Sequence, residues 1–227
     1  MNYYSEKDIR DIVAGVLAQS GLSASAASDE PAAAERGEPI PVEVSARHVH
    51  LTQEALDVLF GKGYCLTPKK ELSQPGQFAA EEHVKLVTRK GAMESVSVLG
   101  PVRKHVQVEL SATDARALGV QLPVRLSGDL DGAGDMLLMG PKGVYEAKAC
   151  AIIARAHVHM TPEQAARWNV RDGQTLSVQM DTARPVTLDG VIARVSGDAG
   201  LAVHIDVDEA NAAAVTPDTV GYIVKRG

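Results

Sequence analysis

The sequence predicts a mainly β fold made of two similar barrel-like subdomains capped by short α-helices, and three observations carry that expectation. From Val42 onward the chain runs in short β-type stretches such as "HVKLVTRKG", "TLSVQM" and "LAVHIDV". Turn signals separate them, among them Gly132 with Gly134, Gly140 with Pro141, and "SGDAG". Helical patterns are few and short: "TQEALDVLF", "SATDARALG", "TPEQAARWN" and "DEANAAAV". Finally, one phrase occurs twice, as "ARHVHLTQEAL" over residues 46–56 and "RAHVHMTPEQA" over 155–165. Small helices closing the ends of sheets point to barrels rather than to an alternating α/β layer structure.

The order of segments begins with residues 1–22. Ile9, Ile12, Val13, Val16 and Leu17 share one helical face, Ser5 with Asp8 resembles an N-cap, and Gly21 is placed to stop the helix. This amphipathic helix either docks on its own domain or serves as an address that buries its stripe in a partner's groove. Residues 23–41 are Ala, Ser, Pro and Glu with almost no large apolar side chain, the composition of a flexible linker. A first subdomain is expected over 42–123 and a second over 124–227, with exchange of strands between them left open. In each copy of the repeated phrase a Thr, Thr52 or Thr161, stands as N-cap behind a β-type run, with Glu54 or Glu163 in the first turn and Pro162 at the start of the second helix.

Composition excludes several classes of function. The 227 residues are 45% hydrophobic and 23% charged with a net charge of -6, which leaves no electrostatic footprint for nucleic acid. No apolar run is long enough to span a bilayer, and no signal peptide opens the chain, so it is expected to be neither secreted nor membrane-embedded. Cys65 and Cys150 cannot form a disulfide framework and fit a reducing, cytosolic setting.

Side chains alternate across a strand, so His48 and His50 share one face, as do His157 and His159. A same-face imidazole pair suits a divalent metal such as zinc. In "VRKHVQVEL" the residues Arg103, His105, Gln107 and Glu109 alternate with a largely apolar face that includes Lys104; in "LAVHIDVDEANAAAV" His204, Asp206 and Asp208 alternate with Val203, Ile205 and Val207. His48, His50, Glu109, His157, His159 and His204 would make two sites of three ligands each, which leaves coordination positions open as in catalytic zinc. His83 and His105 are left over, His105 as a supporting partner behind the ligands.

"SARHVHLT", "GPVRKHVQVEL", "ARAHVHMT" and "LAVHIDVDEANA" resemble the PduL-type phosphotransacylases, the phosphate propanoyltransferases of bacterial microcompartments. The resemblance runs from Val42 to Gly227. It implies an active site between two β-barrel-like domains holding two zinc ions, one on His48, His50 and Glu109, the other on His157, His159 and His204. The reaction it implies is reversible transfer of an acyl group, propanoyl or acetyl, between coenzyme A and phosphate. Arg103, expected on the strand face of Glu109, would grip phosphate through its guanidinium fork. For coenzyme A the resemblance points to Ser45, Lys70, Leu99 and Asn211. The helix and linker look like an encapsulation peptide, which implies the lumen of a microcompartment within the cytoplasm and shell or core enzymes as partners of residues 1–22; a homo-oligomer is also expected.

Two other readings compete. A dinuclear zinc hydrolase also uses paired histidines with carboxylates, but those built on (β/α)₈ barrels need an alternation of strand and helix that this chain lacks. A zinc-binding shell or scaffold component would hold metal without turnover.

Overall fold

The computed structural model describes residues 37–224. The expected amphipathic helix over 1–22 and the linker up to residue 36 lie outside these residues. The linker is shorter than expected at its other end: Ile40 and Pro41 already belong to the first strand, because Ile40 is a large apolar side chain and is fully buried.

In chain order the elements are β1 (Ile40–Ser45), β2 (His48–His50), α1 (Gln53–Phe60), β3 (Pro68–Glu71), β4 (Phe78–Val87), β5 (Ala92–Gly100), β6 (Gln107–Leu110), α2 (Ala112–Ala117) and β7 (Val124–Arg125). They continue with β8 (Gly134–Met139), β9 (Val144–Ala154), β10 (His157–Met160), α3 (Pro162–Trp168), β11 (Thr175–Asp181), β12 (Val186–Val195), β13 (Ala202–Asp206), α4 (Val207–Ala213) and β14 (Val220–Val224).

Pairing closes two rings of six strands. The first runs β4-β5-β2-β6-β9-β8 and returns to β4, with β3 added on β4 and β7 on β9. The second runs β1-β13-β10-β12-β11-β14 and returns to β1. Closure leaves no unpaired sheet edge within a ring. Each ring has its own core: Val49, Leu51, Leu56, Leu59, Val98, Val108 and Leu138 in the first, Ile40, Val158, Met160, Val178, Val203 and Ile205 in the second.

The barrels do not follow the division expected at Pro123/Val124. β1 pairs with β13 and so belongs to the second barrel, while β7, β8 and β9, all beyond that boundary, complete the first. The exchange is reciprocal. β1 sits in the second barrel and leads into β2 of the first, and β9 sits in the first and leads into β10 of the second. Runs that read as continuous β in the sequence, "VEVSARHVHL" and "YEAKACAIIARAHVHM", therefore break at residues 46–47 and 155–156, where the chain passes between barrels.

Other boundaries shift as well. "ESVSVLGPVRKHVQVEL" is two strands, because β5 ends at Gly100 and residues 101–106 form a loop before β6. "VRLSGDL" keeps only two strand residues. Asp208 lies in α4 instead of on the strand face of His204, since Asp206 ends β13 by capping that helix. β3 and β8 have no clear sequence signal: the four residues of β3 are all exposed, so no alternation marks them.

The four helices have six to eight residues, too short to persist alone. Caps and packing hold them. Thr52 Oγ1 accepts from Ala55 N at 3.1 Å and Thr161 Oγ1 from Gln164 N at 3.3 Å. Ser111 and Asp206 close α2 and α4 with reciprocal capping boxes. In the box at α4, burial, opposed by the Asp206 backbone hydrogen bond and reinforced by the Asp206 and Asp208 charges, pushes the Glu209 carboxyl up to about 7.

Three variants test these contacts by urea unfolding. Leu56→Ala should cost about 2–5 kcal/mol in urea unfolding and Thr161→Ala about 0.5–2 kcal/mol. Because the folded pKa of Glu209 lies above its ordinary value, folding takes up a proton between about pH 4.5 and 7. The contribution of this group is therefore present at low pH and lost as pH rises towards 7. Glu209→Gln should match the parent near pH 5 and surpass it in urea midpoint above pH 7.

Candidate metal centre

The site is assembled by two copies of one unit: a strand from one barrel, a crossover, a His-Val-His strand in the other barrel, and a capped helix. In β2 and β10 the central Val49 and Val158 point into their barrel cores and are fully buried. The flanking histidines therefore face the other way. Across the sheet, β2 pairs antiparallel with β6 so that His48 stands opposite Glu109. β10 pairs antiparallel with β13 so that His157 stands opposite His204. Register thus brings the third candidate ligand beside each pair, and the donor atoms of each trio lie within 4.8 Å of one another.

The crossovers orient the first ring of each pair. His48 Nδ1 contacts the carbonyl oxygen of Ala46 at 2.8 Å, and His157 Nδ1 contacts that of Arg155 at 2.9 Å. A donated Nδ1–H fixes the tautomer and leaves Nε2 as the free donor, the arrangement that metal-ligating histidines use. His50 Nδ1 is buried without a well-formed hydrogen bond among the described residues, and buried His204 Nε2 meets only the Glu43 carboxylate, at 3.2 Å and outside good hydrogen-bond geometry. Buried polar nitrogens left so are costly, and a cation is one group that would satisfy them.

The electrostatics favour neutral rings. Burial, aided by the charges of His48 and Arg103, lowers the His50 pKa to about 3. Burial also lowers His157 to about 4 and His159 to about 3, with His204 and Arg194 acting in the same direction. His48 differs: burial opposes its charged form, but the adjacent Glu109 carboxylate and the Ala46 carbonyl hold it above the ordinary value. Burial likewise opposes ionisation of Glu109, yet His48 and His50 hold that carboxyl well below the usual range. His50, His157 and His159 are thus favoured in the neutral form that ligation requires, and the first trio adds an ionised carboxylate that the second lacks.

A family model for phosphate propanoyltransferase matches residues 41–216. The chain belongs to the phosphate propanoyltransferase family. It is 50% identical to a phosphate propanoyltransferase of Thermotoga maritima, over 84% of this chain and 91% of that one. It is 51% identical to one of Lachnoclostridium phytofermentans, over 78% and 83%, and 47% identical to one of Alkaliphilus metalliredigens, over 82% and 88%. As a member of this family the protein is an enzyme, a phosphotransacylase.

Both trios of this phosphotransacylase line one cleft of about 460 Å³, together with Ser45, Arg47, Gln77, Leu99, Arg103 and Arg194. Of the four residues expected at coenzyme A, Ser45 and Leu99 line this cleft. Lys70, exposed on β3, and Asn211, exposed on α4, do not line the cleft. Arg103 reaches it by a different route from the one expected. It sits in the 101–106 loop instead of on the strand of Glu109, its backbone N–H bound to Leu51 O at 2.8 Å and its guanidinium to Gln77 Oε1 at 3.2 Å. His105 is exposed and lines an adjoining hollow with Arg103, Gln107 and Gly128, and no hydrogen bond among the described residues joins it to either trio. His83, on β4, is exposed and contacts Glu81 O through Nδ1 at 2.9 Å.

Sequence reasoning placed Gln107 on the strand face of Glu109 without giving it a role, and it named neither Glu43 nor Arg194. Gln107 donates to Glu109 Oε1 at 2.5 Å and to Ser127 Oγ at 2.9 Å, while its own Oε1 accepts from Gly128 N at 2.9 Å. This fixes one carboxylate oxygen and leaves Oε2 facing His48 Nε2 at 3.6 Å. Glu43, paired with His204 across β1 and β13, stands 3.2 Å from its Nε2 and accepts from Ser73 Oγ at 2.6 Å. The His204 ring beside it holds its carboxyl below the usual value. Arg194 pairs with His159 across β10 and β12. No spacing in the sequence connects these residues to the histidines.

Zinc titration read by elemental analysis should load two equivalents per chain. His50→Ala should remove one equivalent and His159→Ala the other, each sparing its neighbour; joint loss in either variant would mean a single shared centre.

Proposed function

We propose that this phosphotransacylase converts acyl-CoA, propanoyl-CoA or acetyl-CoA, and phosphate to acyl phosphate and CoA, reversibly, with two zinc ions held by the trios. The observation that carries the reading is one cleft in which two open three-donor groups of unequal charge face a guanidinium, that of Arg103. The donor sets fit zinc: imidazoles and one carboxylate, each trio with a buried ring nitrogen that no well-formed hydrogen bond satisfies. Zinc bound there would supply Lewis-acid polarisation of the thioester carbonyl and a soft partner for the departing sulfur.

The bond changes are those of a direct displacement. A phosphate oxygen attacks the thioester carbonyl carbon, the C–S bond breaks with its electron pair going to sulfur, and the proton released from phosphate ends on the thiolate. Arg103 holds the oxyanion by charge-assisted, two-pronged hydrogen bonds, which orients one oxygen towards the carbon. Gln107 keeps Glu109 in one orientation, and the low pKa values of His50, His157 and His159 keep these rings uncharged at neutral pH.

Neither cysteine serves as an acyl carrier in this scheme. Cys150 is fully buried in the first barrel, where burial pushes its thiol up to about 12. Cys65 is exposed and does not line the cleft. Phosphate is itself the nucleophile, so no acyl-enzyme is needed.

Residues 1–22 act, in this reading, as an encapsulation peptide that delivers a homo-oligomeric enzyme to a bacterial microcompartment. Its support is the apolar stripe of Ile9, Ile12, Val13, Val16 and Leu17 followed by an Ala/Ser/Pro linker. Removing residues 1–22 should leave turnover intact and abolish co-sedimentation with shells.

The deciding assay mixes zinc-loaded protein with propanoyl-CoA or acetyl-CoA, with and without phosphate, and follows free thiol. Release is expected only with phosphate and with acyl phosphate as co-product; release indifferent to phosphate would mean a thioester hydrolase. Arg103→Ala should lower kcat/KM for phosphate by about 10–100-fold with secondary structure and zinc content unchanged.

A further inference from the structure

The two copies of the site unit are superimposable in register but not in chemistry. In the first barrel the strand lying parallel to the His-Val-His strand places Leu99 beside His50. In the second, the corresponding strand places Arg194 beside His159. Paired residues of neighbouring strands project from the same face, so each side chain enters the cleft next to the second histidine of its pair. Both line the cleft. The same architectural position thus carries an apolar side chain on one side and a guanidinium on the other.

The surroundings of Arg194 leave its charge available. Among the described residues no carboxylate forms an ion pair with it, and its hydrogen bond to Ser127 O is long, at 3.5 Å. Its charge is felt by both histidines of the second pair, where it opposes protonation, and by Arg103. Arg103 also makes no ion pair at contact distance among the described residues; its guanidinium meets the neutral amide of Gln77, and only the more distant Glu109 carboxylate favours its charge. Two guanidiniums converging on one half-buried cleft repel each other unless an anion lies between them. The trio beside Arg194 carries no carboxylate of its own, whereas the other contains Glu109. Glu43 lies on the Arg194 side, but it is engaged by Ser73 Oγ and stands against His204. Each half of the cleft thus holds one guanidinium and one carboxylate, but on the Arg194 side the carboxylate stands outside the trio.

We propose that Arg194 is a second phosphate-binding residue: with Arg103 it clamps the tetrahedral oxyanion over the three-histidine trio, while Leu99 at the equivalent position leaves the His48, His50 and Glu109 side for the acyl thioester. The inference rests on the phosphate acyltransferase reading above. It explains why one of two otherwise matched positions is cationic, and it assigns the two halves of the cleft to the two substrates. Arg194 comes from the second barrel and Arg103 from a loop of the first, so the oxyanion is gripped from both.

The test uses the full-length, zinc-loaded protein and its Arg194→Gln and Arg194→Lys variants. Initial rates are measured with phosphate varied at saturating acyl-CoA and the reverse, and inorganic phosphate binding without thioester is followed by calorimetry. In Arg194→Gln the KM and the Kd for phosphate should both rise by about 10–100-fold, the KM for acyl-CoA should stay within about threefold, and two zinc equivalents should remain. Arg194→Lys should recover part of the loss, since it restores charge without the planar fork. Parental phosphate KM and Kd in Arg194→Gln would overturn the inference, and so would a defect that appears only together with zinc loss. Wild-type thiol release without phosphate would instead sink the functional reading, so the two failures are distinguishable.

Discussion

The antiparallel pairings of β2 with β6 and of β10 with β13 are the constraint on which the site depends. They place Glu109 opposite His48 and His204 opposite His157, and thereby turn two same-face histidine pairs into two trios. A strand has a side-chain period of two, so a slip of one residue would turn the histidines into the barrel cores and bring Val49 and Val158 into the cleft. The cores prevent that slip. Each valine is fully buried among the aliphatic residues of its own ring, and exchanging it for an imidazole would desolvate a polar ring without a partner.

The crossovers extend this local constraint to the whole molecule. β1 completes the second barrel before entering β2, and β9 completes the first before entering β10. Neither ring closes without a strand from the segment that feeds the other. The turns at Ala46 and Arg155, forced by the passage between barrels, are also the groups whose carbonyls meet His48 Nδ1 and His157 Nδ1. Topology and ligand orientation are two results of the same bend in the chain.

Within this near-symmetric frame, chemistry has diverged at matched places. Glu109 in one unit corresponds to His204 in the other, Leu99 to Arg194, and Ile152, paired with Glu109, to Glu43, paired with His204. Symmetry supplies two donor trios in one cleft; the departures from it make one trio anionic and place a guanidinium by the other. Three register positions thus make two units of the same architecture chemically unlike within one cleft.

The sequence alone determined the β class, the four helical stretches, the Thr52 and Thr161 caps and the repeated His-Val-His unit, because these depend on local chemistry: alternation, capping side chains and turn residues. It also singled out all six residues of the trios, since donor type and same-face spacing are readable from a strand without its neighbours. Tertiary structure decided what local pattern cannot encode. The boundary at Pro123 failed because strand exchange is a property of pairing between segments far apart in the chain. Arg103 moved from a strand to a loop because β5 and β6 are set by their partners and leave residues 101–106 unpaired. Arg194, Glu43 and Gln107 joined the site through register and hydrogen bonds across the sheets, and a register exists only once two strands have met.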